Sequence, residues 1–155
     1  EEKLTYIVEV SSQIKSMIVE KDETEQGIRA LLNFGHTFGH ALEAATGYSD
    51  RLLHGEAVAL GSCLALNLSN KLNLIDQEQI LRIEKHFVSS GFKTKIKQLP
   101  GENIDLNLLM NLIYQDKKVT SNQLNLVLLN KIGEGILVKD VDPENVKNVL
   151  LESLK

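Results

Sequence analysis

The sequence predicts a mainly α-helical domain with a small β-hairpin, and three observations lead to this prediction. Apolar residues recur at helical spacing along most of the 155 residues. Residues that start helices, such as Asp76 and Pro143, stand before two of these segments. Two short runs rich in Leu, Val and Ile flank the glycines of 133–135, which is typical of a hairpin. A chain of this length buries one sizeable core, so we expect a single domain over 1–155.

The elements of the first half of the chain follow from the spacing of its apolar residues. A first helix is predicted over 4–20, and the charged segment 21–27 ends it. A second helix is predicted over 28–46, because Gly47 follows it at a position where helices often end. A third helix, almost wholly apolar, begins near His54.

The second half of the chain is predicted to contain three more helices and the hairpin. Asp76 is placed to cap the first of these helices, and Pro143 can occupy the first position of the last one. The predicted elements are helices over 77–90, over 104–114 and from 143 to the C-terminus, and strands over 123–129 and 136–141. His86, on the helix over 77–90, has no partner in the sequence and is interpreted as structural.

The composition excludes several classes of protein. Hydrophobic residues make up 43% and charged residues 25% of the chain, which excludes disordered and collagen-like sequences. With 17 basic and 21 acidic side chains the net charge is −4, so we expect no nucleic-acid partner. The longest uncharged stretch, 57–70, is shorter than the roughly 20 residues of a membrane span, so we expect no membrane partner. A lone cysteine, Cys63, and an N-terminus without a secretory signal favour a cytoplasmic location.

The predicted second helix carries an unusual polar face. At about 100° per residue, five polar side chains fall within one narrow wedge of this helix. They are Arg29, Asn33, His36, His40 and Glu43. A solvated face is usually built of Lys and Glu, so the two histidines favour a binding site. Gly35 and Gly39 each cost the helix about 1 kcal/mol relative to Ala. Glycine there lets a ligand or another backbone approach closely.

A third histidine, His54, stands at the start of the third helix. The positive end of the helix dipole disfavours an imidazolium there, and a metal ion needs a neutral imidazole. Taken alone, His54 would be interpreted as a capping or hydrogen-bonded loop residue. Together with His36 and His40 it favours a zinc-type site, which takes three protein ligands when it is catalytic. Spacing alone leaves open whether two or all three of the histidines bind the metal.

Two motifs in the chain closely resemble 3-dehydroquinate synthase. The first reads RALLNFGHTFGHALE over 29–43, and the second reads LHGEAVA over 53–59. The resemblance continues upstream through DETEQGIR over 22–29 and downstream to DKK over 116–118 and VLL over 127–129. It therefore covers essentially the whole chain, but only the C-terminal part of the family's enzyme.

The resemblance implies a two-domain, usually homodimeric enzyme of the shikimate pathway. That enzyme converts the sugar phosphate 3-deoxy-D-arabino-heptulosonate 7-phosphate to 3-dehydroquinate with loss of phosphate. Its N-terminal domain holds NAD, and its helical C-terminal domain supplies groups that bind a divalent metal, zinc or cobalt, and the substrate. This chain corresponds to the C-terminal domain, so we expect the natural protein to extend upstream of Glu1 and the 155 residues alone to be inactive.

The resemblance also implies a role for individual residues. His36 and His54 would bind the metal, with a third ligand, a glutamate, lying upstream of this chain. His40 would contact the substrate near the departing phosphate, and Lys15 would join it as a candidate catalytic residue. The implied substrate-binding residues are Arg29, Asn33, Glu25, Lys117 and Lys118. Which of the two adjacent lysines contacts the substrate is left open, and Lys15 can also be interpreted as a surface residue.

The residue types suit this chemistry, although two other functions stay open. A divalent metal polarises a hydroxyl group, Arg and Lys neutralise phosphate and carboxylate, and a histidine transfers protons near neutral pH. One alternative is another sugar-phosphate cyclase, such as a 2-deoxy-scyllo-inosose synthase, which shares the histidine motifs. The other is a non-catalytic helical binding module, which would hold if the natural protein began at Glu1.

Overall fold

A computed structural model describes residues 2–24, 27–116 and 124–155. These residues are mainly helical, with one two-stranded antiparallel sheet, which confirms the predicted fold class. The chain divides into two compact units, Glu1–Asn33 and Phe34–Lys155, and each is described by itself. The single domain expected over 1–155 stays a prediction.

The first unit consists of one long helix and one short one. Helix α1 spans Glu2–Lys21, which confirms the helix predicted over 4–20. A 3₁₀ helix follows over Ile28–Asn33. Between them, Oδ2 of Asp22 accepts hydrogen bonds from the backbone N–H groups of Gly27 (2.8 Å) and Arg29 (2.9 Å). This carboxylate therefore holds the start of the short helix.

The prediction of one continuous helix over 28–46 is wrong. The 3₁₀ helix ends at Asn33, and α2 begins at His36 and runs to Ala45. Gly35 separates them with φ of 77°, a left-handed conformation that no residue inside a right-handed helix adopts. The wedge that grouped Arg29 with the histidines assumed one straight helix, so that part of the argument fails. Helix α2 does end before Gly47, as predicted.

Helix α3, His54–Lys71, is the central helix of the second unit. Most of its residues are buried, including the greater part of the uncharged stretch 57–70. Leu60 and Leu64 pack in one core cluster with Phe38 and Leu42 of α2. The stretch is therefore a core helix, as predicted, and no helix in the described part of the chain is long and apolar enough to cross a membrane.

Glycines bring the backbones of α2 and α3 into direct contact. A Cβ atom added to Gly61 would overlap the carbonyl oxygen of Gly35 and lie 2.7 Å from the backbone nitrogen of Gly39. A Cβ atom added to Gly39 would lie 3.1 Å from the carbonyl oxygen of Ala57. Of the two alternatives stated from sequence for Gly35 and Gly39, the close approach of another backbone is the one found.

The remaining elements complete the second unit around this pair of helices. Asp76 caps α4, Gln77–Ser89, by accepting a hydrogen bond of 2.9 Å from the backbone of Gln79. Helix α5 spans Leu106–Asp116, two residues later than predicted, and α6 spans Pro143–Leu154. All three helices are therefore confirmed.

The hairpin is confirmed, with its strands closer to the turn than predicted. Strand β1 spans Leu126–Lys131 and pairs in antiparallel fashion with β2, Glu134–Val138. The shift arises because Gly133, with φ of 86°, forms a tight turn with Ile132, which leaves Glu134 and the following glycine in the strand. Leu126 and Leu128 are buried and attach the hairpin to the core.

Candidate functional site

Three imidazole rings lie together in the second unit. The ring centroids of His36 and His40 are 5.5 Å apart, those of His36 and His54 are 5.9 Å apart, and those of His40 and His54 are 6.3 Å apart. His36 and His40 lie one turn apart on α2, and His54 is the first residue of α3. The contact between the two helices therefore gathers residues that are separated by up to 18 positions in the sequence.

His36 and His54 each have a partner at Nδ1. His36 Nδ1 lies 3.2 Å from the carbonyl oxygen of Phe34. His54 Nδ1 lies 3.1 and 3.2 Å from the two carboxylate oxygens of Glu43. A carbonyl and an ionised carboxylate only accept hydrogen bonds, so Nδ1 donates in both pairs, and in a neutral imidazole Nε2 then keeps its lone pair. Metal-binding histidines in proteins are oriented in this way.

The spacing of the rings fits a shared metal ion. Two imidazoles bound to one ion through nitrogens about 2 Å from it have ring centroids no more than about 6.5 Å apart. The 5.9 Å between His36 and His54 meets this condition, and so do the other two separations. Within the described residues, however, no group of three or more His, Cys, Asp or Glu side chains could hold a metal ion. Which of the three histidines bind a metal ion therefore stays a prediction.

The site is open to solvent on one side and shielded on the other. The side chain of His54 is 62% exposed, whereas that of Glu43 is 13% exposed. His40 also lines a groove of about 200 Å³ between α2 and α5. The other residues along this groove are Ala41, Ala44, Tyr48, Leu112 and Gln115. Small-molecule sites usually have about 300–1,000 Å³, so this groove is smaller than a usual binding site.

The substrate-binding residues predicted in the first unit have their own local contacts. Arg29 donates a hydrogen bond of 2.7 Å from Nη1 to the carbonyl oxygen of Glu23. Lys15 is exposed on α1, and Asn33 is the last residue of the 3₁₀ helix. These residues belong to Glu1–Asn33, and their role in the site stays a prediction. The predicted residues Glu25, Lys117 and Lys118 lie outside the described residues.

Comparison with known proteins identifies the family. Residues 1–119 match the family model described as 3-dehydroquinate synthase C-terminal. The chain belongs to the 3-dehydroquinate synthase C-terminal domain family. It is 51% identical over 145 residues to the 3-dehydroquinate synthase of Roseobacter denitrificans, covering 94% of this chain and 39% of that protein. It is 45% identical over 153 residues to that of Bradyrhizobium diazoefficiens, covering 96% and 40%.

These relatives confirm the resemblance seen in the motifs, and they set its extent. The chain spans about two fifths of the length of the 3-dehydroquinate synthases that it matches. The activity of the whole enzyme is therefore a proposal for this chain rather than a finding.

Solved structures of related cyclases share the fold. One is a 2-epi-5-epi-valiolone synthase from Streptomyces hygroscopicus with NAD+ and Zn2+ bound, with a TM-score of 0.79 and 21% identity. That match covers 96% of this chain and 39% of the synthase. The second is a 2-deoxy-scyllo-inosose synthase complexed with carbaglucose-6-phosphate, NAD+ and Co2+, with a TM-score of 0.78 and 21% identity, covering 98% and 41%. At this identity the likeness confirms the fold of the synthase domain alone.

Sequence reasoning missed the contact of His54 with Glu43 and the contacts of Arg51 with a distant loop. Glu43 was placed on the polar wedge and in the synthase motif without a role, yet its carboxylate contacts His54. Arg51, three residues before His54, donates hydrogen bonds to the backbone carbonyls of Pro100 and Glu102. The polar position of Glu43, two turns from His36, was a usable signal, whereas nothing in the sequence links Arg51 to residues about fifty positions away.

Proposed function

We propose that the protein containing this chain is a 3-dehydroquinate synthase, which converts 3-deoxy-D-arabino-heptulosonate 7-phosphate to 3-dehydroquinate with loss of phosphate. One observation carries the proposal. The three histidines of the family motifs lie with all ring centroids within 6.3 Å of one another, although α2 and α3 supply them separately. The relatives that share 45–51% of the residues carry the same name.

In this proposal His36 and His54 hold a divalent ion, zinc or cobalt. Both rings direct Nδ1 to an acceptor, which supports Nε2 as the metal-binding atom. When bound, the ion supplies Lewis-acid polarisation of the hydroxyl group that is oxidised. A third ligand and the NAD site come from parts of the enzyme outside this chain. Solved neighbours with the same fold contain NAD+ and either Zn2+ or Co2+.

His40 transfers protons in this proposal instead of binding the metal. An imidazole titrates near neutral pH, which suits it to exchange protons with a substrate. His40 lines the groove between α2 and α5, and this position supports contact of the ring with a substrate. The Nδ1 partners of His36 and His54 are typical of metal ligands, and the resemblance to 3-dehydroquinate synthase supports the acid–base role of His40.

The cationic residues bind the anionic ends of the substrate. Arg29, Lys15 and one lysine of 117–118 neutralise the phosphate and carboxylate groups, and an arginine can do so with a bidentate fork. Asn33 and Glu25 bind hydroxyl groups. The motif match over 22–29 and 116–118 supports these roles. A sugar phosphate is also a ligand type of a neighbour with this fold, the complex with carbaglucose-6-phosphate.

Turnover of two substrates by the full-length protein tests the activity. We expect phosphate release and 3-dehydroquinate formation from the heptulosonate phosphate and no turnover of glucose 6-phosphate. Turnover of glucose 6-phosphate alone would instead favour 2-deoxy-scyllo-inosose synthase, the function of a neighbour with a TM-score of 0.78. No turnover of either compound would favour a non-catalytic binding module.

Histidine variants of the same protein test the assigned roles. Replacing His36 or His54 by Ala should remove both bound metal and activity. His40→Ala should keep the metal and lower kcat by about 100- to 10,000-fold, the usual size of an acid–base contribution. His86→Ala is a matched control, because His86 is an exposed residue of α4 outside the histidine cluster. Loss of metal in His40→Ala would contradict the assignment.

We also propose a cellular setting for the protein. We expect a cytoplasmic homodimer without nucleic-acid or membrane partners. A net charge of −4 supports the absence of a nucleic-acid partner, and a single, buried cysteine supports a reducing compartment. The resemblance to 3-dehydroquinate synthase supports the homodimer. Light scattering on the full-length protein measures the oligomeric state.

A further inference from the structure

We propose that Glu43 is a positioning residue that fixes the tautomer and the orientation of His54 before any metal binds. This inference rests on the proposed metal role of His54 for its effect on affinity. The contact itself belongs to the second unit alone, because Glu43 is on α2 and His54 begins α3. Both carboxylate oxygens lie within 3.2 Å of Nδ1, so the carboxylate meets the ring nitrogen with its two oxygens nearly equidistant.

The burial of the two side chains indicates which one is held by the other. Glu43 is 13% exposed and His54 is 62% exposed, so the surrounding protein confines the carboxylate much more than the imidazole. An exposed side chain at the first position of a helix has several rotamers available. Its contact with a confined carboxylate selects one of them. Glu43 therefore supplies the constraint that the packing around His54 does not.

The chemistry of the pair also fixes the position of the ring proton. An ionised carboxylate has acceptor atoms only, so the hydrogen bond requires the proton on Nδ1 of His54. The hydrogen bond made by one ring nitrogen determines which nitrogen is protonated in a neutral imidazole. Nε2 then carries the free lone pair that a metal ion needs. The carbonyl oxygen of Phe34 selects the same tautomer at His36.

The contact between α2 and α3 fixes the position of Glu43 relative to His54. Glu43 is seven positions after His36, so both side chains lie on the same face of α2. The close approach of Gly39 to Ala57 holds the facing backbone of α3 at a short distance. Helix α2 thus provides one proposed ligand, His36, together with the carboxylate that orients the other. Both imidazoles are oriented by acceptors that belong to this chain.

The tautomer of His54 in the full-length, metal-free protein is the first test. Long-range ¹H–¹⁵N spectra of protein with ¹⁵N-labelled histidine distinguish a protonated Nδ1 from a protonated Nε2. We expect protonated Nδ1 at His54 in the wild type and a mixture of tautomers in Glu43→Gln, because an amide can donate as well as accept. If His54 keeps one tautomer, Nδ1–H, in the variant, the inference is wrong. This readout involves neither metal nor activity.

The zinc dissociation constant, measured by competition with a chelator, is the second test. Removing a residue that hydrogen-bonds to a metal ligand lowers metal affinity by about 10- to 100-fold. We expect this loss of zinc affinity in Glu43→Gln. Glu43→Asp keeps the charge but is one methylene group shorter, so it should lose the contact and bind zinc as weakly. Wild-type affinity in Glu43→Asp would show that charge alone matters and would overturn the positioning role.

Glu56→Gln is the matched control for removing a carboxylate near the start of α3. Glu56 accepts a hydrogen bond of 3.1 Å from the backbone of Leu53, and glutamine at this position of a helix can do the same. Its other oxygen lies 3.8 Å from Nζ of Lys93. We expect wild-type zinc affinity and tautomer in this variant. If the wild type binds no zinc, the proposed function fails, while the tautomer result still decides the role of Glu43.

Discussion

Cys63 shows how burial decides the chemistry of a single side chain in this domain. Its side chain is fully buried in α3, and this desolvation, with a smaller contribution from the nearby charge of Glu84, raises the pKa of the thiol to about 12. A thiol binds metal or reacts as the thiolate. At pH 8 a group with this pKa is ionised in only about one molecule in ten thousand. Cys63 is therefore a packing residue.

We expect Cys63 to resist a thiol reagent while the domain is folded. The raised pKa lowers the thiolate fraction throughout the range below about pH 12, and burial also excludes the reagent. Absorbance after addition of an aromatic disulfide at pH 8 should show no rapid labelling of the native 155-residue chain. One equivalent should react in denaturant, because the chain has one cysteine. Rapid labelling without denaturant would contradict the burial of this thiol.

At the same scale, the residue types of the site were predictable and their hydrogen bonds were not. The spacing of His36 and His40 and the helix start at His54 indicate a metal site without knowledge of the fold. Their Nδ1 partners depend on how α2 and α3 pack. A carbonyl such as that of Phe34 carries no signal in the sequence, because every residue has one.

At the scale of elements, the pattern of apolar residues predicts which face of a helix packs in the core. It is a poorer guide to where the helix is interrupted. The side chains of Phe38 and Leu42 continue the apolar pattern of 28–46, so periodicity alone favours one helix. The break is set by the backbone at Gly35, whose left-handed conformation is available to glycine at little cost. The sequence shows the glycine but not its backbone conformation, so the apolar pattern treats it as a helical residue.

We expect Gly61→Ala to separate α2 from α3 and to destabilise the domain. The added Cβ atom would overlap the carbonyl oxygen of Gly35 and press on the backbone nitrogen of Gly39, neither of which can move without shifting α2. Overpacking of this kind costs about 1–3 kcal/mol of unfolding free energy. Urea denaturation of the 155-residue chain, followed by circular dichroism, measures the change.

Gly55→Ala is the matched control for this substitution. A Cβ atom at Gly55 meets no atom within 4 Å, so alanine there should leave the domain equally or slightly more stable. Equal stability of the Gly61→Ala and wild-type chains would show that the two helices are free to move apart without loss.

For the whole molecule, the fold class and the family follow from the sequence, whereas the full set of residues that form the site does not. The motifs over 29–43 and 53–59 identify the family, and they contribute His36 and His40 of α2 and His54 of α3 to the histidine cluster. Arg29 and Lys15 belong to the unit Glu1–Asn33, and the histidines belong to Phe34–Lys155. Periodicity describes each unit by itself, so the roles of Arg29 and Lys15 stay predictions.

The 155-residue chain alone should bind zinc weakly and have no synthase activity. A catalytic zinc site takes three protein ligands, whereas the proposed assignment finds two in this chain, His36 and His54. Isothermal titration should give a much weaker zinc site for the 155 residues than for the full-length enzyme, and His40→Ala should not change it. A stoichiometric, sub-micromolar site that is lost equally when His36, His40 or His54 is replaced by Ala would show three histidine ligands. In that case His40 could not serve as the proton-transfer group, because its lone pair would be bound to the metal.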